Sequence, residues 1–131
     1  MTQEDKQLLL KDLCARLPYG PIKVLHRGEV ELITNIEYSG CFQVERYKAW
    51  FHQDTTSVKP YLRPLSSMTE EEKKEYDLIS GQVKTFYGRE AESRECANLT
   101  DWLNKNHFDY RGLIEKGLAL EAPEGMYPIQ L

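Results

Sequence analysis

Leu9, Leu10, Leu13, Cys14 and Leu17 recur at helical spacing near the start of the chain. Thr2, with Asp5 three residues later, supplies a capping-box pattern ahead of them. Pro18, Gly20 and Pro21 stop that helix. From Ile22 the period shortens from helical to alternating. Ile22–His26, Val30–Ile36 and Cys41–Tyr47 read as three strands, and Arg27-Gly28-Glu29 and Ser39-Gly40 read as turns between them. An antiparallel meander is expected. On this pattern Val30, Leu32, Phe42 and Val44 point into the core, while Glu29, Glu31 and Glu37 mostly lie opposite or flank them. Tyr47, Ala49, Trp50 and Phe51 blur the alternation at the end of the third strand.

The second half returns to helices. His52–Ser57 reads as a polar loop. Val58–Ser67 contains Pro60 and Pro64, so it cannot be the interior of a helix. It reads as an extended segment that wraps the surface and buries Tyr61, Leu62 and Leu65. Thr69 and Glu72 form a second capping-box pattern, and Glu70, Glu71 and Glu72 suit the positive end of a helix dipole. Tyr76, Ile79 and Val83 continue that helix, weakened by Gly81. Arg89–Arg94 is charged and reads as a loop or helix start. Leu99, Trp102 and Leu103 mark a third helix. Asp109 is placed to cap a short fourth one through Leu113 and Ile114, ended by Gly117. Leu118–Glu121 reads as a further strand before the Pro123 turn.

The expected architecture is a single α+β domain over residues 1–131. An N-terminal helix precedes a small antiparallel sheet of three to four strands, flat or curled like a barrel, with C-terminal helices packed on it. An all-helical fold is disfavoured because residues 22–47 read poorly as helix.

Composition narrows the function classes. A chain of 131 residues with 40% hydrophobic residues can bury one core. Its net charge is −4, with 17 basic residues against 21 acidic ones, and no basic run exceeds two residues. Nucleic-acid binding, which depends on clustered Lys and Arg, is disfavoured. No apolar run approaches the ~20 residues of a membrane span. The N-terminus is polar and acidic, not basic and then apolar, so a cytoplasmic protein is expected. Cys14, Cys41 and Cys96 are widely spaced and form no CxxC pair, which suits reduced thiols and argues against a zinc site or disulfide framework. No cofactor is implied, since phosphate-loop, dinucleotide and hydrolase-elbow motifs do not occur.

The densest candidate chemistry lies at Asn106, His107, Asp109, Tyr110 and Arg111. An imidazole and a carboxylate two residues apart could orient a base, and a guanidinium fork matches anions. Arg63 or Arg46 could join them to form a ligand site. The bland reading is a structural corner: Asp109 caps, Phe108 and Tyr110 pack, His107 meets a backbone carbonyl, and Arg111 pairs with a glutamate. His52 and Asp54 make a second His-x-Asp. His26 is the only other histidine, and the spacing does not support a closed metal site. The cysteines carry no surrounding nucleophile motif. Tyr61-Leu62-Arg63-Pro64 could present a recognition edge, though a stiffened crossing anchored by Tyr61 and Leu62 is simpler.

Two blocks carry a resemblance. Trp102–Tyr127, with its string Trp-Leu-Asn-Lys-Asn-His-Phe-Asp-Tyr-Arg-Gly-Leu-Ile, resembles the C-terminal end of small uncharacterised proteins of Bacteroidales genomes and their prophages. Val58–Glu72 resembles a second block of the same family. Together they span roughly a third of the 131 residues. The resemblance implies a phage or mobile-element origin and no established activity. Two function classes stay open: a non-enzymatic adaptor acting through a protein partner, and a small-molecule or nucleotide binder, or small enzyme, using the Asn106–Arg111 cluster with Arg63. A deep pocket of arginine and aromatic side chains would favour the second, and a flat exposed apolar patch the first.

Overall fold

The computed structural model describes residues 2–85 and 98–127. The charged stretch 89–94, Cys96 and the side chain of Val83 lie outside the described residues. Helix α1 spans Gln3–Arg16 and begins with the expected capping box: the Asp5 N–H donates to Thr2 Oγ1 at 3.1 Å, and the Thr2 N–H donates to Asp5 Oδ2. A 3₁₀ turn over Leu17–Tyr19, with Pro18 inside it, ends the helix. The buried face is rotated from the apolar pattern. Leu9 and Leu13 are buried together with Asp12 and Arg16, while Leu10 and Cys14 are only half-buried.

The meander forms as expected, from β1 (Ile22–His26), β2 (Glu29–Ile36) and β3 (Cys41–Val44). Strand β4 (Trp50–His52) extends it antiparallel to β3. The sheet is larger than three or four strands and is not closed into a barrel. Among the described residues seven strands form a mixed sheet in the order β4-β3-β2-β1-β5-β6, and β7 also pairs with β5.

The segment at Val58 does not wrap the surface. It forms β5 (Val58–Pro64), antiparallel to β1 and parallel to the two-residue strands β6 (Phe108–Asp109) and β7 (Leu120–Glu121). Pro60 and Pro64 have no N–H to donate, so this strand is paired in short pieces. It buries Val58, Pro60 and Leu62, whereas Leu65 is exposed.

The β2 register corrects two core assignments. Val30 is 49% exposed and Leu32 half-buried, while Ile33 is fully buried; Phe42 and Val44 are buried as expected. The cause is the two-residue turn. Arg27 (φ 55°) and Gly28 (φ 79°) both take left-handed backbone, as a type I′ hairpin requires, and this pairs His26 with Glu29 and Leu25 with Val30. Ile22, Val24 and His26 lie on the core side of the sheet, so Glu29, Glu31 and Ile33 do too, with Glu29 still exposed at the strand's end. A bulge between Ile33 and Asn35 then returns Ile36 to the core side.

Helix α2 (Glu70–Thr85) has the expected capping box, with the Glu72 N–H on Thr69 Oγ1 and the Thr69 N–H on Glu72 Oε1. Residues 98–105 are helical (α3). The expected fourth helix is absent. Residues 113–117 form successive turns, with Leu118 and Ala119 N–H groups both bonded to the Leu113 carbonyl. The core divides in two. α1, the inner sheet face, Leu113, Leu118 and Ala119 make one cluster. Trp102, Leu103 and Phe108 make the other, with Met68, Tyr76 and Ile79 against them.

Candidate functional site: a polar hub and an open sheet face

The structure brings Arg63 and the 106–111 segment together. The Arg63 N–H donates to the His107 carbonyl at 2.8 Å, its Nη1 reaches the Asn106 carbonyl at 3.4 Å, and its guanidinium lies 4.3 Å from the Phe108 ring centroid. Both Glu72 oxygens accept from Arg63, at 2.6 and 2.7 Å. Burial alone would raise the Glu72 carboxyl, but hydrogen bonds from Arg63 and Thr69 and the Arg63 charge hold it below its ordinary value.

The other predicted site residues are engaged internally. Asn106 Nδ2 donates to the Trp102 carbonyl. Asp109 accepts the Leu113 and Ile114 N–H groups, both at 2.9 Å, so it caps a turn and not a helix. The Tyr110 hydroxyl donates to Asn104 Oδ1. Arg111 pairs with Asp12 at 2.7 Å, not with a glutamate, and stacks on Tyr110. His107 holds left-handed backbone (φ 65°), and its ring stacks on Tyr127 at 3.8 Å. Burial, with the nearby charges of Arg16, Arg63 and Lys23, pushes His107 down to about 4. It is therefore neutral near pH 7.

Sequence reasoning missed the partners of this hub. Asp12 accepts from Arg16 Nε at 2.8 Å and from Arg16 Nη2 at 3.1 Å, and Arg16 Nη2 also donates to the Phe108 carbonyl at 2.7 Å. Arg16 Nη1 is buried and without a hydrogen-bond partner among the described residues. The i,i+4 spacing of Asp12 and Arg16 is the one sequence signal that points to this pair. A second buried network was also missed. Glu31 Oε2 meets His26 Nδ1 at 2.7 Å, and His26 Nε2 meets Thr56 Oγ1 at 3.1 Å, with Phe42 and Phe51 edge-on to the imidazole.

The second His-x-Asp is tied down as well. The Asp54 N–H donates to His52 Nδ1, His52 Nε2–H donates to the Ser39 carbonyl, and Asp54 pairs with Lys6. Among the described residues no three His, Cys, Asp or Glu side chains stand together as metal ligands. Cys14 and Cys41 are free thiols, and burial raises the Cys14 thiol. No described helix is long and apolar enough to cross a membrane.

Of the clefts among the described residues, two are lined by arginines. One, of about 370 Å³, is lined by Arg63, Thr69, Glu121, Glu124 and Tyr127. The other, of about 310 Å³, is lined by Arg27, Glu29, Glu31, Arg46, Tyr47 and Phe51. In both, the arginines share the lining with carboxylates. Arg63 is bound to Glu72, and Arg46 to Glu29.

The outer face of the sheet is different. Strand register places Leu25 directly beside Val30, with Lys59 on Leu25's other side, and places Lys23 beside Leu32. Trp50 projects from β4 on the same face, opposite Gln43. Val30 and Trp50 are 49% and 48% exposed, and Leu25 and Leu32 are half-buried. Among the described residues none of the four belongs to either core cluster, whereas towards β5 the same face is covered, with Lys23 under Met126 and Tyr127 and Arg63 against Phe108. Glu29 and Glu31 fall on the opposite side of β2, Glu29 staying 60% exposed, while the exposed Glu45, one residue past β3, donates its N–H to the Leu32 carbonyl.

Comparison with family models, with curated proteins and with solved structures finds no match.

Proposed function

We propose that this protein is a non-catalytic binding module that engages a protein partner through the part of its outer sheet face that no described residue covers. The observation that carries the reading is the line Leu25–Val30 beside Leu32, with Trp50 further along the same face. The uncovered face of an antiparallel sheet is ordinarily polar. Single exposed apolar residues are common, but several sharing one uncovered face mark an interaction surface. Tryptophan is also among the residues most enriched in binding hot spots. The prophage resemblance of Val58–Glu72 and Trp102–Tyr127 supports a mobile-element setting for that partner.

The test is affinity capture from the native host with three proteins: the wild type, Val30→Asp and Leu78→Glu. Leu78 is 70% exposed on α2 and serves as a control. A partner held by wild type and Leu78→Glu but lost by Val30→Asp supports the reading. Partners indifferent to Val30→Asp refute it.

A second reading rests on the cleft beside Arg63 and Tyr127. Its volume falls in the range of small-molecule sites. It is the weaker reading because Glu72 occupies both nitrogens of the Arg63 fork, and Glu121 and Glu124 add negative charge to the walls.

A further inference from the structure

We propose that the cleft of about 310 Å³ beside the β1–β2 turn is a binding site for a small aminocarboxylate, with Glu31 taking its ammonium group and Arg27 its carboxylate. The cleft opens on the core side of the sheet, where Glu31, Val44 and Phe51 project. Leu25 and Val30 lie on the other side, so ligand and protein partner do not compete for one surface.

Glu31 is the unusual wall. Its side chain is only 10% exposed, and one oxygen, Oε2, meets His26 Nδ1 at 2.7 Å. Oε1 accepts no hydrogen bond among the described residues. It is not sealed either, since Arg16 Nη1 is the one sealed side-chain atom there without a partner. Oε1 therefore opens to the cleft that Glu31 lines. A carboxylate taken this far out of water is costly unless its remaining lone pairs meet donors. His26 has no more to give. A single proton on Nδ1 completes its bond to Glu31, and Thr56 Oγ1, 3.1 Å from Nε2, can donate to the other nitrogen.

Arg27 lines the same cleft. The turn fixes its backbone, and its guanidinium stands 5.7 Å from the Phe51 ring centroid. It makes no ion pair among the described residues, with Glu31 or any other carboxylate. The remaining charges at the cleft, Arg46 and Glu29, pair with each other at 2.6 Å on the rim. One anion and one cation are left facing the same space without touching. A ligand carrying both an ammonium and a carboxylate completes the two together. A simple anion leaves Glu31 unmatched, and a simple cation leaves Arg27 unmatched. The volume lies at the small end of the range for ligand sites, which suits a molecule of amino-acid size. Backbone strain collects at the mouth. Tyr47 (φ 65°) and Lys48 (φ 50°) are consecutive non-glycine residues in the left-handed region, in the turn that brings Arg46 and Tyr47 to the lining. Such conformations are costly and cluster at ligand sites.

The experiment titrates the full chain with the common α-amino acids, β-alanine and γ-aminobutyrate, read by calorimetry and by NMR amide shifts. Each binder is then compared with its N-acetyl form, which keeps only the carboxylate, and with its amide, which keeps only the ammonium. At least one aminocarboxylate should saturate the protein and shift amides at residues 27–31 and 46–51. Either blocked form should bind about tenfold more weakly or worse. Arg27→Asn and Glu31→Gln should each lower affinity about tenfold, while Val30→Asp and Glu124→Gln leave it unchanged. Asn-Gly is the favoured pair for a type I′ turn, so Arg27→Asn keeps the fold and carries the test if Glu31→Gln does not melt with the wild type. A blocked form that binds as tightly as its parent, binding indifferent to Arg27→Asn, or no binding by any of these compounds overturns the inference. Each of those results leaves the protein-binding reading standing, because that reading is tested through Val30→Asp.

Discussion

Asp12 and Arg111 stand 99 positions apart in the chain and meet at 2.7 Å in the interior. Asp12 also holds Arg16, so one fully buried carboxylate serves two guanidiniums and joins α1 to the C-terminal segment. Removing one member of a buried ion network leaves the others desolvated without a counter-charge. Asp12→Ala should therefore cost about 3–5 kcal/mol in urea unfolding. Arg111→Ala should cost less, because its side chain keeps 15% exposure and the Arg16–Asp12 pair survives it. Equal and small losses from both would show that the triad is not a stabilising junction.

The hub shows where sequence reasoning reached its limit. Arg63 and the Asn106–Arg111 string were legible as a cluster, because unusual residue types were concentrated there. Their partners were not, because Glu72 had a sufficient local explanation as a cap, and nothing in the sequence of α1 shows that Asp12 and Arg16 lie on its buried face. The strands at 22–26 and 41–44 were legible from alternation. The inward parity of β2 was not, because it depends on a glutamate entering the interior to meet His26. That pairing is invisible until Arg27-Gly28 sets the register.

His107 should make stability depend on pH. The unfolded histidine binds its proton near pH 6.5, and the folded one only near about 4. Between those values the unfolded state holds more protons, so stability rises with pH across the window. The contribution is fully present above pH 6.5 and is lost as pH falls toward 4, up to about 3 kcal/mol. Glu72, held below its ordinary value, adds a further loss at the acidic end. Asparagine tolerates left-handed backbone, so His107→Asn should keep the fold. Urea unfolding from pH 4 to 7 should show a flatter curve for His107→Asn than for wild type. Parallel curves would contradict the assignment.

Phe108 and Asp109 are adjacent but should respond differently. Phe108 is completely buried between Trp102 and Arg63, and Phe108→Ala should cost about 3–5 kcal/mol. Asp109→Ala removes the acceptor of two backbone N–H groups at a cost of about 1–3 kcal/mol for each donor left unsatisfied. Loosening from Asp109→Ala should concentrate at residues 111–118. Amide hydrogen exchange would locate it, and uniform loss of protection across the sheet would count against a local turn-capping role.

The central claim, that the partner sits on the outer sheet face, is tested most directly by site-specific photocrosslinking in the native host. A photoreactive amino acid is placed in turn at positions 30 and 59 on that face, at 78 on α2, and at 124 on the rim of the Arg63 cleft. The account predicts one shared protein adduct from positions 30 and 59, absent from 78 and 124. An adduct formed only from position 124, or from 78, with none from 30 and 59, would contradict it.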